Sequence, residues 1–481
     1  MKNNITRRGA MAGMGLFAGA AFLESCAVNP VTGKRELMLM GEDAEINMGK
    51  EAHGQIVEEY GAYNDSSMQE WFTERGNEMT PFSHRKHLPW QFTVLDSPVI
   101  NAFAVPGGNI YVTRGILAYF NNEAQFAGVL GHELGHVTAR HTAARYSKAK
   151  LANLGLSLGS VLSEEFAKYA DLASLGSTLM FLKFSRNDER QADKLGVEYS
   201  SSVGYDARQV SEFFVTLERL HPGGGSLPSW QSTHPDPGDR INATRKMANS
   251  WQQKKPGEYF VKRNEYLDRI NGIVFGNDPR QGYVKNGIFY HPEMKFKFPA
   301  PKDWQLNNQP KQVTMSPEKQ DAVLIFNLAD GANPKEAAAA FAEQNGVTVA
   351  SSANFSADGV TGFKQLGQMA GQQKEMGIAS YFIPMHERIY VFHGLSAPAD
   401  LTAYEATFTS TAKGFGAVKD QLMLNVSPGK LDVRAVKRAM TVEKAFNSFD
   451  VPEDKLAELA VINGLELGDS VSAGTRLKII L

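Results

Sequence analysis

The sequence predicts a mixed α+β protein: a mainly helical first half with a small antiparallel sheet, then an α+β domain, then a small C-terminal αβ module. Three observations carry this. Apolar residues recur at helical intervals over 122–146, and a second helix opens at Phe184 with acids at i,i+4, beside short strand signals between 91 and 113. From about Gly282 the pattern changes to β-rich pieces with two helices among them. Beyond Val433 it shortens to two brief helices and a closing strand. A chain of 481 residues holds roughly two to four domains. Charged residues at 21%, hydrophobic residues at 42% and a formal net charge of -2 describe ordinary globular material. Nothing in that balance draws nucleic acid.

In chain order, Lys2, Arg7 and Arg8 precede an apolar run from Gly9 to Leu23. The run is too short to span a bilayer and reads as the core of a signal peptide over 1–25. Thr6-Arg7-Arg8-Gly9-Ala10-Met11 resembles a twin-arginine export signal, leaving that route open beside the general one. Leu23-Glu24-Ser25-Cys26 resembles a lipobox, and Cys26 is the only cysteine, so it has no disulfide partner within the chain. A lipid-bearing Cys26 implies a bacterial envelope protein anchored on the periplasmic side. Ala27 in place of an Asp points to the outer membrane.

The helix expected from Asn122 to Tyr146 starts with Asn122 as N-cap and Gln125 three residues on. Phe126, Val129, Leu130 and Val137 face the core at helical spacing. Gly128, Gly131 and Gly135 each weaken a helix by up to about 1 kcal/mol relative to Ala, which implies a very close neighbour. His132, Glu133 and His136 place two imidazoles one turn apart with a carboxylate beside them. That is the pattern for two zinc ligands and a general base, and hence for metal-assisted peptide hydrolysis. The plainer reading is a buried helix with two satisfied core histidines. His141, nine residues after His132, falls on the opposite face of a continuous helix and reads as a surface or packing residue.

A second helix opens at Phe184-Ser185-Arg186, with Glu189 and Asp193 at i,i+4 on one face with Gly196. Alone, two such acids describe a solvated face. Beside a His pair, Glu189 becomes a third ligand and Asp193 the carboxylate that holds the outer N–H of a ligating imidazole. Two His, one Glu and a water is the open, catalytic arrangement of a single Zn²⁺ per chain. Strand signals at Gln91 to Asp96, Ile100 to Val105 and Asn109 to Thr113, with the turn Pro106-Gly107-Gly108, predict a small antiparallel sheet whose edge would hold an extended peptide.

The His132-Glu133-Leu134-Gly135-His136 helix, the Glu189/Asp193 helix and Asn101-Ala102-Phe103-Ala104-Val105-Pro106-Gly107-Gly108-Asn109-Ile110-Tyr111-Val112 resemble the gluzincin (zincin-like) zinc metallopeptidases. Within them the chain resembles the family of the CAAX prenyl proteases (Ste24-like), HtpX, the mitochondrial Oma proteases and BepA. Asn29-Pro30-Val31-Thr32-Gly33-Lys34-Arg35 and Thr233-His234-Pro235 with Asp239-Arg240-Ile241 resemble its periplasmic lipoprotein branch. The resemblance implies a metallopeptidase domain over 26–275, with Asn101 contacting substrate backbone. A turn residue is the alternative for Asn101. For His234 two roles are open: stabilising the developing oxyanion, or acting as a fourth ligand that holds the enzyme latent. Arg240 reads either as the partner of a site carboxylate or as a surface residue.

Residues 282–425 read as an α+β accessory domain similar to PsbP-like modules, in which His291, His386 and His393 are scattered and structural. Residues 430–481 resemble a LysM module, which implies peptidoglycan as a partner, against a packing domain that binds nothing. The function expected is a zinc endopeptidase acting on misfolded or stalled envelope proteins. The alternative is a catalytically silent chaperone or peptidoglycan-binding scaffold.

Overall fold

The computed structural model describes residues 26–153, 179, 183–220, 230, 233–234, 237–370 and 375–481. The expected signal peptide and most of the small-residue-rich segment 151–182 lie outside the described residues. The chain divides into two units, one of residues 1–57, 61–276 and 430–481, the other of 58–60 and 277–429.

In the first unit, strands β1 (Cys26–Val28) and β2 (Arg35–Leu37) form a short antiparallel pair. The helix Ser66–Met79 is capped by Asp65, whose side chain accepts from the Met68 N–H. A three-stranded sheet follows from β3 (Gln91–Leu95), β4 (Ala102–Val105) and β5 (Asn109–Thr113), in the order β3-β5-β4. The sheet is mixed, not antiparallel as expected: β4 and β5 form a hairpin, whereas β3 runs parallel to β5. The cause lies in the connection after β3. Gly115 N donates to Ser97 O, and Thr113 Oγ1 donates to the carbonyls of Val99 and Asn101. The connection is thereby tied across the end of β5, and β4 returns on the far side.

The helix Glu123–Thr138 is buried along its whole length. Asn122 Oδ1 accepts from Gln125 N at 2.9 Å, the expected cap, and Gln125 Oε1 reaches back to Asn121 N at 2.7 Å. The helix does not continue to Tyr146. It ends at Thr138, Arg140 takes a left-handed φ of 60°, and a separate helix runs His141–Asn153. Burial explains the break: the Arg140 guanidinium pairs with the buried Glu45, which also accepts from Arg85 Nη1 at 2.9 Å. Arg85 in turn donates to Val137 O at 3.1 Å, so this ion-pair cluster closes the helix end.

Helices Arg186–Ser202, Gln209–Arg219 and Pro237–Lys254 follow in the same unit. The close neighbour at Gly131 and Gly135 is the Arg186–Ser202 helix, whereas Gly128 lies against Val210 of the Gln209–Arg219 helix. A Cβ on Gly131 would lie 2.9 Å from Gly196 O, and one on Gly196 would lie 3.0 Å from His132 N. Backbones at this distance bring Glu189 and Asp193 opposite the two histidines.

The second unit holds two antiparallel sheets. The smaller takes β6 (Tyr283–Lys285), β7 (Ile288–His291), β8 (Phe296–Pro299) and the later β16 (Gly416–Ala417) in the order β16-β8-β7-β6. The larger takes β9 (Trp304–Asn308), β10 (Gln312–Pro317), β11 (Ala322–Ala329), β12 (Thr348–Ala357), β13 (Val360–Ala370), β14 (Glu375–Met385) and β15 (Arg388–Ser396). Its order is β12-β13-β14-β15-β11-β10-β9. Helices Pro334–Gln344 and Leu401–Lys413 pack on it. His393, buried, lies 2.8 Å from Ser380 Oγ and stacks on Phe341.

Residues 430–481 pair β17 (Leu431–Ala435) with β20 (Arg476–Ile480), and β18 (Met440–Thr441) with β19 (Ser470–Val471), around helices Val442–Asn447 and Leu456–Ile462. They share one hydrophobic core with the rest of the first unit, from Met68 through Phe126 and Trp230 to Phe446, Leu459 and Ile479. Lys478 is wholly buried, and its Nζ donates to Ala118 O at 2.8 Å and Phe120 O at 2.9 Å. Among the described residues no helix is long and apolar enough to cross a membrane.

Candidate metal centre

One turn of helix places His132 Nε2 and His136 Nε2 3.0 Å apart. Glu189, from the facing helix, lies 3.6 Å from the first and 3.5 Å from the second. His234 enters from the other side, its Nδ1 3.2 Å from His132 Nε2 and 3.0 Å from Glu189 Oε1. All four residues are buried, and their nearest donor atoms lie within 4.8 Å of one another. A tetrahedral zinc with bonds of about 2.0–2.1 Å sets its ligand atoms roughly 3.3 Å apart. The donor set, two imidazoles facing a carboxylate in a dry pocket, fits such an ion.

Unsatisfied atoms point the same way. Both oxygens of Glu133 and Nε2 of His234 are buried and make no hydrogen bond among the described residues, with His234 Nε2 and Glu133 Oε1 facing each other at 3.7 Å. Buried polar atoms are rarely left so unless something binds there. Burial pushes the Glu133 carboxyl up to about 7, the range suited to a proton acceptor near neutrality. Burial, with neighbouring positive charge, holds the His136 imidazole well below its usual value and therefore neutral, as a metal ligand must be.

The support of the site is layered. His132 Nδ1 lies 3.0 Å from Asp193 Oδ1, the arrangement expected for that carboxylate. Arg240 grips Asp193 with Nη2 at 2.6 Å and Nε at 2.8 Å, and its Nη1 lies 2.9 Å from Glu189 Oε2. Of the two readings of Arg240, the structure has the buried carboxylate partner, and burial rules out the surface one. Its guanidinium also sits over the rings of Phe214 and Trp230. Asn29, in the Asn-Pro-Val-Thr-Gly stretch, donates through Nδ2 to Ala139 O at 3.2 Å and so caps the end of the His132/His136 helix.

Asn101 is wholly buried just before β4. Its backbone bonds to Thr113, while its side-chain oxygen and nitrogen have no partner among the described residues. Trp230 N donates to Ile100 O, and His234 N to Trp230 O, which ties the His234 segment to this strand. Cys26 heads β1, far along the chain from the cluster.

His141 departs from the reading on sequence. Of its two readings the packing one holds and the surface one does not, and it lies not on an opposite face but with its Nδ1 3.0 Å from His136 Nδ1. The helical-wheel argument fails because Arg140 ends the first helix and turns the chain back under it. The available signal was the Arg140-His141-Thr142 stretch directly after the motif, which periodicity alone assigns to one continuous helix.

Residues 66–248 match the model of Peptidase family M48. The chain carries an M48 peptidase domain. The chain is similar to mitochondrial metalloendopeptidase OMA1 of Arabidopsis thaliana, 30% identical over 200 residues, which are 42% of this chain and 39% of that protein. It is also similar to the beta-barrel assembly-enhancing protease of Escherichia coli, 28% identical over 269 residues, 54% of each chain. The putative beta-barrel assembly-enhancing protease of Vibrio cholerae is 29% identical over 224 residues, 44% of this chain and 46% of that one. The chain thus spans about half the length of these curated relatives. Among solved structures, cyanobacterial PsbP from Synechocystis covers 28% of this chain and 96% of its own at 12% identity, with a TM-score of 0.24. At that score the likeness carries no argument.

Proposed function

We propose that the chain is a zinc-dependent endopeptidase of the bacterial cell envelope that clears misfolded or stalled envelope proteins. One observation carries the reading: His132, His136, Glu189 and His234 gather ligand atoms within 4.8 Å of one another, beside the buried carboxylate of Glu133. When bound, zinc polarises the scissile carbonyl and acidifies water. Glu133 accepts the proton of the attacking water and passes it to the leaving amine as the C–N bond breaks. Asp193, clamped by Arg240, fixes the His132 ring so that Nε2 faces inward. A peptide would lie extended along β4, an edge strand of the sheet, with Asn101 offering its free amide to the peptide backbone.

His234 supports a latent resting state, since its Nδ1 stands where a fourth ligand would sit and would take the place of water. Cys26 would carry the lipid that anchors the protein to the outer membrane. Residues 430–481, two helices framed by the strand pairs β17–β20 and β18–β19, are the LysM-like candidate for peptidoglycan. Zinc content and casein cleavage test the reading together. Glu133→Gln should keep zinc and lose cleavage by about 10²–10⁴-fold, and His234→Ala should raise basal cleavage. Zinc bound with no Glu133-dependent cleavage, even in His234→Ala, would instead mark a silent scaffold. Loss of cleavage in His234→Ala alone would assign that residue to the oxyanion.

A further inference from the structure

We infer that His141 and Gln191 are positioning residues that set the tautomer and orientation of the His136 imidazole, forming a neutral support beside the anionic one on His132. This rests on the metal-centre reading above. His136 turns Nε2 toward His132 Nε2 and Glu189, so Nε2 is the atom offered to the ion and the ring proton sits on Nδ1. That Nδ1 lies 3.0 Å from His141 Nδ1, so His136 donates and His141 accepts. The proton of His141 is then on Nε2, 3.0 Å from Gln191 Oε1, where the amide carbonyl accepts it. With neutral rings, this is the one arrangement that satisfies both contacts.

The chain of two bonds begins on the residue released by the left-handed turn at Arg140 and ends on the helix that carries Glu189 and Asp193. It therefore links the His136 ring to the same helix that supplies the third ligand. Phe184 covers the ring on another side, at 4.0 Å between centroids, so no solvent is needed to satisfy it. A carboxylate in place of His141 would add a further buried acid to a site that already holds Glu133, Glu189 and Asp193, with Asp188 close to the same ring.

The test measures zinc affinity of the full chain by competition with a chromophoric chelator, with unfolding of the metal-free protein followed in parallel. Removing such an outer partner typically weakens metal binding by about 10–100-fold, which is the change expected for His141→Leu. His141→Asn presents Oδ1 where Nδ1 stood and accepts the same hydrogen, so affinity should recover to within about threefold of the original. Gln191→Leu, at a half-buried position, should weaken binding in the same direction and covers the case in which His141→Leu does not fold. The inference is overturned if His141→Leu or Gln191→Leu binds zinc like the parent, or if a folded His141→Asn is no better than His141→Leu. His136→Ala separates the two layers. If it too retains zinc, the metal centre itself is misplaced; if it loses zinc while His141→Leu does not, only the positioning role fails.

Discussion

Replacing Asp193 with Ala should both destabilise the first unit and loosen its metal. The carboxylate is almost fully buried and accepts three bonds, two from Arg240 at 2.6 and 2.8 Å and one from His132 at 3.0 Å. Arg240 holds it well below the usual carboxylate range, against the opposing effect of burial, so it is ionised when folded. Removing one member of a buried pair costs about 3–5 kcal/mol, because the remaining charge is left without compensation. Here Arg240 keeps Glu189 at 2.9 Å, which places the expected loss at the lower end, about 3 kcal/mol. The His132 ring also loses its orienting acceptor, worth a further 10–100-fold in zinc affinity, or about 1.4–2.7 kcal/mol. Urea unfolding of the metal-free protein measures the first quantity. Tryptophan fluorescence reports it, since Trp71, Trp90, Trp230 and Trp251 all lie in this unit. Chelator competition measures the second. If the variant unfolds within about 1 kcal/mol of the parent and binds zinc equally well, the clamp has no energetic role and the reasoning fails.

Zinc at 100 times its dissociation constant should stabilise the first unit by about 2.7 kcal/mol, so chelation should lower its unfolding midpoint; an unmoved midpoint would count against a folded-state site. Lys478→Met should leave the buried carbonyls of Ala118 and Phe120 unpaired at about 1–3 kcal/mol each, and the peptidase and residues 430–481 should still unfold in one transition because they share a core. Two separate transitions by calorimetry would contradict that shared core. The second unit should lose stability in acid. Burial pulls His291 and His393 down to about 4, whereas the unfolded chain takes up protons near 6.5. Stability is therefore complete above about pH 6.5 and lost as the pH falls toward 4, by about 2 kcal/mol per histidine at pH 5. Trp304 fluorescence during urea unfolding at pH 7 and pH 5 reads this, and a midpoint independent of pH would refute it.

What could be read along the chain was whatever depends on neighbours one turn or one turn of backbone away. His132, Glu133 and His136 share a helix face by spacing, as do Glu189 and Asp193, and Asn122 announces the helix start through a side chain that reaches only three residues. The glycines at 131 and 135 even signalled a close partner without naming it. Tertiary structure decided the rest, because it depends on groups distant in sequence competing for burial. Periodicity carried the first helix through to Tyr146, but Glu45, almost a hundred residues earlier, draws Arg140 into a left-handed turn and brings His141 beneath His136. Strand signals carry no direction, so the parallel β3–β5 pair came from the route of the 96–101 connection. Residues 430–481 read as a module apart, yet Lys478 and the apolar faces around it are satisfied only against the peptidase. Local periodicity sets which side chains share a surface; only the folded chain sets which surface they meet.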